Sequence, residues 1–209
     1  IGSGDSTDRS FLMNLSTAGH SVTIEASGTG AVNFTNTSTP GYGTANQTRT
    51  LGLSGSNTGA NTLAATLVDN GTGALSINKL SPGRWVLTGI NTYTGTTTIN
   101  DGVIQAAVSG GGLPTSSILQ LRGGVFQSSG TFTRTVGTAA GNVNWSTSSG
   151  GFSAIGGALN VQLNGGTGSV TWNGASMVST GQTLIFGSAS ADSMVDWQNS
   201  LNLGSSGSG

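Results

Sequence analysis

Seven acidic residues, Asp5, Asp8, Glu25, Asp69, Asp101, Asp192 and Asp196, are the first place to look for chemistry. A polysaccharide lyase or hydrolase needs clustered carboxylates, either as a paired acid and base or as calcium ligands. Asp192 and Asp196 share one face of an extended strand but sit about 13 Å apart at ~3.3 Å per residue. Asp5 and Asp8 have odd spacing, so a regular strand sends them to opposite faces. Only stacking of distant segments could bring two acids together. Asp69 and Asp101 read as turn residues and the others as solvated. His20 is the only histidine, so a serine triad would have to use it. No G-x-S-x-G elbow accompanies it, and it reads as a surface or turn residue. Neither G-x-G-x-x-G nor a phosphate loop occurs despite the abundant glycine. GSGDSTDRS is a poor single echo of the calcium-binding nonapeptide. These residues predict no catalytic site, no metal and no cofactor.

Four tryptophans offer a second kind of chemistry, a sugar-binding face. Trp85, Trp145, Trp172 and Trp197 are spaced by 60, 27 and 25 residues. The last two intervals approach one turn of a stacked fold, which predicts that Trp145 and Trp172 stack. An internal aromatic ladder is the other reading of the same spacing. Six N-x-S/T sequons, at Asn14, Asn33, Asn36, Asn46, Asn70 and Asn144, follow from a composition this rich in Asn, Ser and Thr.

The elements that must position these residues are strands. Glycine supplies 37 of 209 residues, and with Ser, Thr and Asn it makes up roughly half the chain. Charged residues are only 6%, with a net charge of −1. Six Lys+Arg against seven Asp+Glu leave no basic footprint for nucleic acid. A mean hydropathy of +0.02 with so little charge is unlike a disordered chain. No 18-residue apolar run exists, so no membrane insertion by a helix of this segment is expected. IGSGDSTDRS has neither a basic nor an apolar leader region, so no signal peptide is expected within it. The absence of Cys excludes disulfides and thiolate metal sites, and suits an exported bacterial surface protein.

Helix signals are nearly absent, while short alternating apolar and polar runs recur. Strands are predicted at 21–26, 31–35, 85–88, 96–100, 103–106, 118–121, 125–127, 131–136, 142–146, 158–163, 169–172 and 183–186. Asp101-Gly102, Asn70-Gly71, Asn164-Gly165 and Asn173-Gly174 are turn dipeptides. Many short strands suit a sandwich, a barrel or a β-solenoid. Frequent corner residues, hydroxyl-rich faces and scarce charge favour the all-β solenoid as a single continuous stack over 1–209. At ~20–25 residues per turn and ~4.8 Å per layer, the chain would make about nine turns and a stack roughly 40–45 Å long.

Gly83 to Ala106 reads GRWVLTGINTYTGTTTINDGVIQA. Trp85, Leu87, Gly89, Asn91, Thr92, Tyr93, Gly95, Thr97, Thr98, Ile99, Gly102 and Ile104 carry a specific resemblance. The segment 83–106 resembles the autotransporter-associated β-strand repeat, or passenger-associated transport repeat, of bacterial autotransporters. Asn142 to Gly157 and Leu184 to Gly204 look, more loosely, like segments accompanying this repeat in very long surface proteins. The resemblance implies a right-handed parallel β-helix passenger, exported through the outer membrane to the bacterial surface. The family's C-terminal translocator barrel is absent from these residues. Read on its own chemistry, the repeat is a structural coil. Trp85, Leu87, Ile99, Val103 and Ile104 form an inward stack, Asn91 and Gly95 sit at bends, and Tyr93 packs over a corner. Matches at an offset of 185, Gly2-Ser3 with Gly187-Ser188 and Asn14 with Asn199, hint at a longer internal repeat.

The expected function is that of a structural segment of an extended surface fibre or passenger. Its expected partner is itself, by end-to-end stacking or by continuation in the same chain. The alternatives are a carbohydrate-binding adhesin module that meets surface glycans, discriminated by an exposed aromatic row, and a β-helix lyase, discriminated by acids with Arg in one groove.

Overall fold

The computed structural model describes residues 4–14, 18–166 and 168–204. The described residues contain strands and turns and no helix. The chain travels in circuits. The first runs through β1 (Gly4–Thr7), β2 (Leu12–Met13) and β3 (His20–Glu25), and the second through β4 (Ala31–Phe34), β5 (Gly41–Tyr42) and β6 (Arg49–Ser54). Then come β7 (Asn61–Leu63) with β8 (Leu75–Lys79), β9 (Arg84–Leu87) with β10 (Thr97–Ile99), and β11 (Val103–Ala106) with β12 (Leu119–Leu121). The last three circuits hold β13 (Val125–Arg134) with β14 (Val143–Asn144), β15 (Gly150–Leu163) with β16 (Val170–Thr171), and β17 (Leu184–Phe186) with β18 (Val195–Trp197) and β19 (Leu201–Asn202).

Strands never pair within a circuit; they pair with the equivalent strand one circuit on. One sheet runs β1-β4-β7-β9-β11-β13-β15-β17, with β18 joined to β15, and a second runs β3-β6-β8-β10-β12-β14. Every strand pair is parallel. The main path therefore counts eight circuits, about 34 Å at ~4.8 Å per layer, rather than nine. The shortfall has a simple origin. Paired residues are 19 apart between Arg84 and Val103 but 36 apart between Leu159 and Val195, so the later circuits consume more chain.

Parallel register turns alternation within a strand into ladders between strands. Trp85, Ile104, Phe126, Phe152 and Phe186 pair in succession along the first sheet. All but Phe186, on the last circuit, are fully buried. In the second sheet Leu51, Ile77, Thr97, Leu119 and Val143 form one buried row. Leu53, Lys79, Ile99 and Leu121 form the next, and it contains a lysine.

Two strands differ instructively from expectation. The runs 125–127 and 131–136 belong largely to one strand, β13, with a register shift between Ser128 and Gly130. Gly130 has φ +88°, which bends the strand without ending its ladder. β15 starts at Gly150 rather than 158, because its glycines are needed for contact. A Cβ on Gly151 would lie 1.9 Å from the Ile185 carbonyl oxygen. The strands β1, β2, β5, β6, β7 and β8 lie outside the expected runs, and β18 and β19 both fall inside MVDWQNSLNL (194–203), a strand-like stretch. The LSINK run of β8 alternates as a strand should, with Leu75 and Ile77 buried.

Candidate functional site

The repeat occupies the middle of the stack, from the end of β8 to β11, and its residues face three ways. Trp85, Leu87, Ile99 and Ile104 are buried in the core, as expected, whereas Val103 is buried on the opposite, outward face of β11, because adjacent strand residues point to opposite sides. The Trp85 indole N–H donates to the Ser54 carbonyl at 2.9 Å, and its ring stacks on Phe34 at 6.5 Å. Thr98 points outward from β10, donating to the Gln120 side chain of the next circuit at 3.3 Å. The glycines serve close approach. A Cβ on Gly89 would lie 2.0 Å from the Ala65 carbonyl oxygen, and on Gly95 2.2 Å from that of Leu75. Gly102 combines φ +66° with a Cβ position 2.4 Å from the Gly83 carbonyl oxygen.

Asn91 and Tyr93 are more interior than bend and corner positions suggested. Asn91 is buried, and its side chain joins three circuits. It accepts from the Leu67 N–H at 2.8 Å and donates to the Gly112 carbonyl at 2.8 Å. Asn61 does the same one circuit earlier, accepting from Val32 N–H at 3.0 Å and donating to the Arg84 carbonyl at 2.8 Å. Tyr93 is fully enclosed; its hydroxyl meets Thr97 at 2.8 Å, and Thr97 meets Ser117 at 2.8 Å. Ser117 donates on to the Gly95 carbonyl at 2.7 Å. Burial pushes the Tyr93 phenol up to about 12. This hydroxyl chain satisfies polar groups that burial would otherwise leave costly.

The acids remain dispersed, and among the described residues no group of three or more His, Cys, Asp or Glu converges. Asp69 braces a turn, accepting from the N–H groups of Leu75 (2.9 Å) and Thr94 (3.0 Å) and from the Thr94 hydroxyl (2.7 Å). Asp101 accepts from Gly102 N–H at 2.7 Å. Exposed Asp8 pairs with Arg9 at 3.7 Å. Asp5, Glu25 and His20 are exposed. Asp192 is exposed but not idle. Ser193 and the Gly156 N–H donate to its carboxylate, which holds its pKa below the usual range. Asp196 is half-buried on β18.

The tryptophans divide. Trp85 and Trp145 are interior, while Trp172 and Trp197 are half-buried. Trp145 meets Phe152 edge-on at 6.1 Å rather than stacking on Trp172. The circuits there are longer than 27 residues, so the two rings lie out of step. Trp197 lies between Phe152 (6.3 Å) and Phe186 (5.5 Å).

Sequence reasoning missed the interior cations. Lys79 is fully buried in its core row; its ammonium donates to the Ser81 carbonyl and, at 3.2 Å, to that of Asp101. Burial lowers it to about 8. Arg134 donates to the Ser117 and Pro114 carbonyls, and burial lowers its pKa as well. The signal for Lys79 was its place in an alternating strand, two residues after Ile77.

A motif whose residues all hold neighbouring circuits together calls for comparison with known repeats. Residues 77–106 match the passenger-associated-transport-repeat family. The repeat thus takes in one full circuit with the ends of its neighbours, from Ile77 to Ala106. Beyond it, the chain is 44% identical over 126 residues to the adhesin BmaC autotransporter of Brucella suis biovar 1 (strain 1330). That alignment covers 60% of this chain and 4% of the relative's length. The chain is therefore similar to a small part of a very long autotransporter. No solved structure is significantly similar to it.

Proposed function

We propose that this chain is a β-helical spacer segment of an exported autotransporter passenger, displayed at the bacterial cell surface. One observation carries the reading: the passenger-associated-transport-repeat fills a circuit that pairs only with the circuits before and after it. Right-handed winding is the expected sense, since crossovers between parallel strands are right-handed in about 98% of cases. Nearest-neighbour pairing lets such a chain fold circuit by circuit, which suits a polypeptide that emerges through a pore. Its role is mechanical rather than enzymatic, in keeping with the scattered acids.

The outer edges of β1, β3, β17 and β18 have no strand partner among the described residues. Phe186 (51% exposed), Met194 (66%) and Leu203 (69%) lie on the last circuit. This is the face on which the stack continues, through further circuits of the same protein or onto a second copy. The test is to splice the 209 residues between a secretion leader and an outer-membrane barrel and to digest intact cells with protease. Surface accessibility supports the reading; periplasmic retention of a folded segment overturns it. Light scattering on the isolated segment separates the two continuations, because only stacking grows with concentration. Adhesion is the second reading, favoured by the name of the Brucella relative.

A further inference from the structure

The outward row of the first sheet changes character along the stack. Arg84 on β9 is followed in register by Val103 on β11 and Val125 on β13. The valines face away from the core ladder yet are only 7% and 4% exposed. Residues 187–190, which follow β17, fold back over the outside of the sheet as a strap and line one cavity with both valines. Buried Gln127 fastens this strap: its amide N–H groups donate to Ser153 (2.9 Å) and Ser188 (3.0 Å), and its carbonyl accepts from Ser190 (3.1 Å). Gly187 N–H adds a bond to the Phe152 carbonyl at 2.8 Å.

Between strap and sheet lies a cavity of about 200 Å³. Its floor is Val103 and Val125 with the turn glycines Gly102, Gly123 and Gly124, and Arg84 and exposed Thr58 contribute to its lining. No acid lines it. The nearest in sequence, Asp101, is held by the Gly102 N–H. The Arg84 guanidinium is poorly occupied. Its contacts are the Gly59 carbonyl and the Gln105 side chain, both at 3.4 Å, while partial burial lowers its pKa. A half-buried guanidinium without a carboxylate is a ready partner for one, because its planar fork matches that group. The volume lies below the ~300–1,000 Å³ of sites for drug-sized ligands, which points to one ring rather than a chain. Apolar valines suit the C–H face of a sugar, and the Thr58 hydroxyl suits its hydroxyls. With a net charge of −1, the chain offers a polyanion no wider attraction.

We propose that this cavity binds a single carboxylate-bearing sugar residue, a hexuronate, with Arg84 taking the carboxylate and the valines taking the ring face. The site is independent of the passenger reading. It is tested by titrating the 209-residue chain with glucuronate, glucose and acetate while following amide resonances. Glucuronate is expected to saturate with millimolar affinity and to shift the amides of Gly102, Gly123, Gly124 and Ser188. Glucose and acetate, each lacking half of the recognition, are expected to bind far more weakly. Arg84→Gln should weaken glucuronate roughly ten- to a hundredfold, the worth of charge-assisted bonds, with Arg84→Lys in between. Val125→Phe, which fills the floor, should abolish binding with Arg84 untouched. If a variant misfolds, the native titration decides. No saturable shift, shifts confined to other residues, or equal binding of glucuronate and acetate would each overturn the proposal. Equal binding of a glutamate-bearing peptide would assign the cavity to a protein partner and overturn the sugar.

Discussion

Replacing Asn91 with alanine tests whether the repeat is a fastening device rather than a turn. The side chain makes two buried bonds of 2.8 Å to backbone groups of the circuits on either side. Alanine leaves the Leu67 N–H and the Gly112 carbonyl without these partners in the interior. Each stranded group costs about 1–3 kcal/mol, so Asn91→Ala should lose roughly 2–6 kcal/mol. Asn91→Asp keeps an acceptor for Leu67 but loses the donor and sets a charge against the Gly112 carbonyl, so it should do no better. Thr98→Ala removes a motif residue that faces outward with one 3.3 Å bond, and should stay within about 0.5 kcal/mol of the parent. Urea unfolding followed by fluorescence of buried Trp85 and Trp145 reads the difference as a shifted midpoint at constant slope. A split transition would place the loss at the fourth circuit, as nearest-neighbour coupling permits. If Asn91→Ala proved as mild as Thr98→Ala with an unchanged slope, the fastening argument would fail.

Other expectations follow from the same geometry. Gly89→Ala should destabilise strongly, since its Cβ would meet the Ala65 carbonyl oxygen at 2.0 Å, whereas Gly168→Ala, with nothing within 4 Å, should be neutral or gain about 0.4–1 kcal/mol; thermal melts compare them. Lys79 is lowered from 10.5 to about 8, so between those values the unfolded chain holds the proton that the folded chain has shed. Stability should therefore rise as pH climbs from about 8 towards 10, by up to about 3 kcal/mol. Lys79→Met should flatten that rise in denaturation curves, and an unchanged rise would show that another group carries it. Asp192→Asn with Asp196→Asn should leave folding and surface display intact, because Asp192 is exposed and asparagine keeps an acceptor for the Gly156 N–H. Complete loss of display by a folded double variant would give these acids a functional role.

The sequence alone determined the strand character of this protein and its repeat. Alternation in VIQA placed β11 to the residue, because local periodicity and β-branched residues act within a few positions. The motif at 83–106 was legible because its glycines and its inward apolar residues are required by type. Asn164-Gly165 was legible as a turn, and both residues take positive φ, +55° and +79°. Circuit length was not legible. It is set by which distant strands pair, and it varies from 19 to 36 residues with no change in local pattern. That variation decided that Trp145 meets Phe152 and not Trp172. Only the tertiary structure moved Asn91 from a bend to a tie between circuits, since a side-chain amide has no target until the neighbouring backbones are in place. Lys79 belongs to the same class, a charge tolerated in a core row because two carbonyls from adjacent turns converge on it. The strap over Val103 and Val125, and with it the cavity beside Arg84, joins residues more than 60 positions apart, from Gln127 to Ser188 and Ser190. No window of sequence holds both sides of that contact, so only the fold could bring them together.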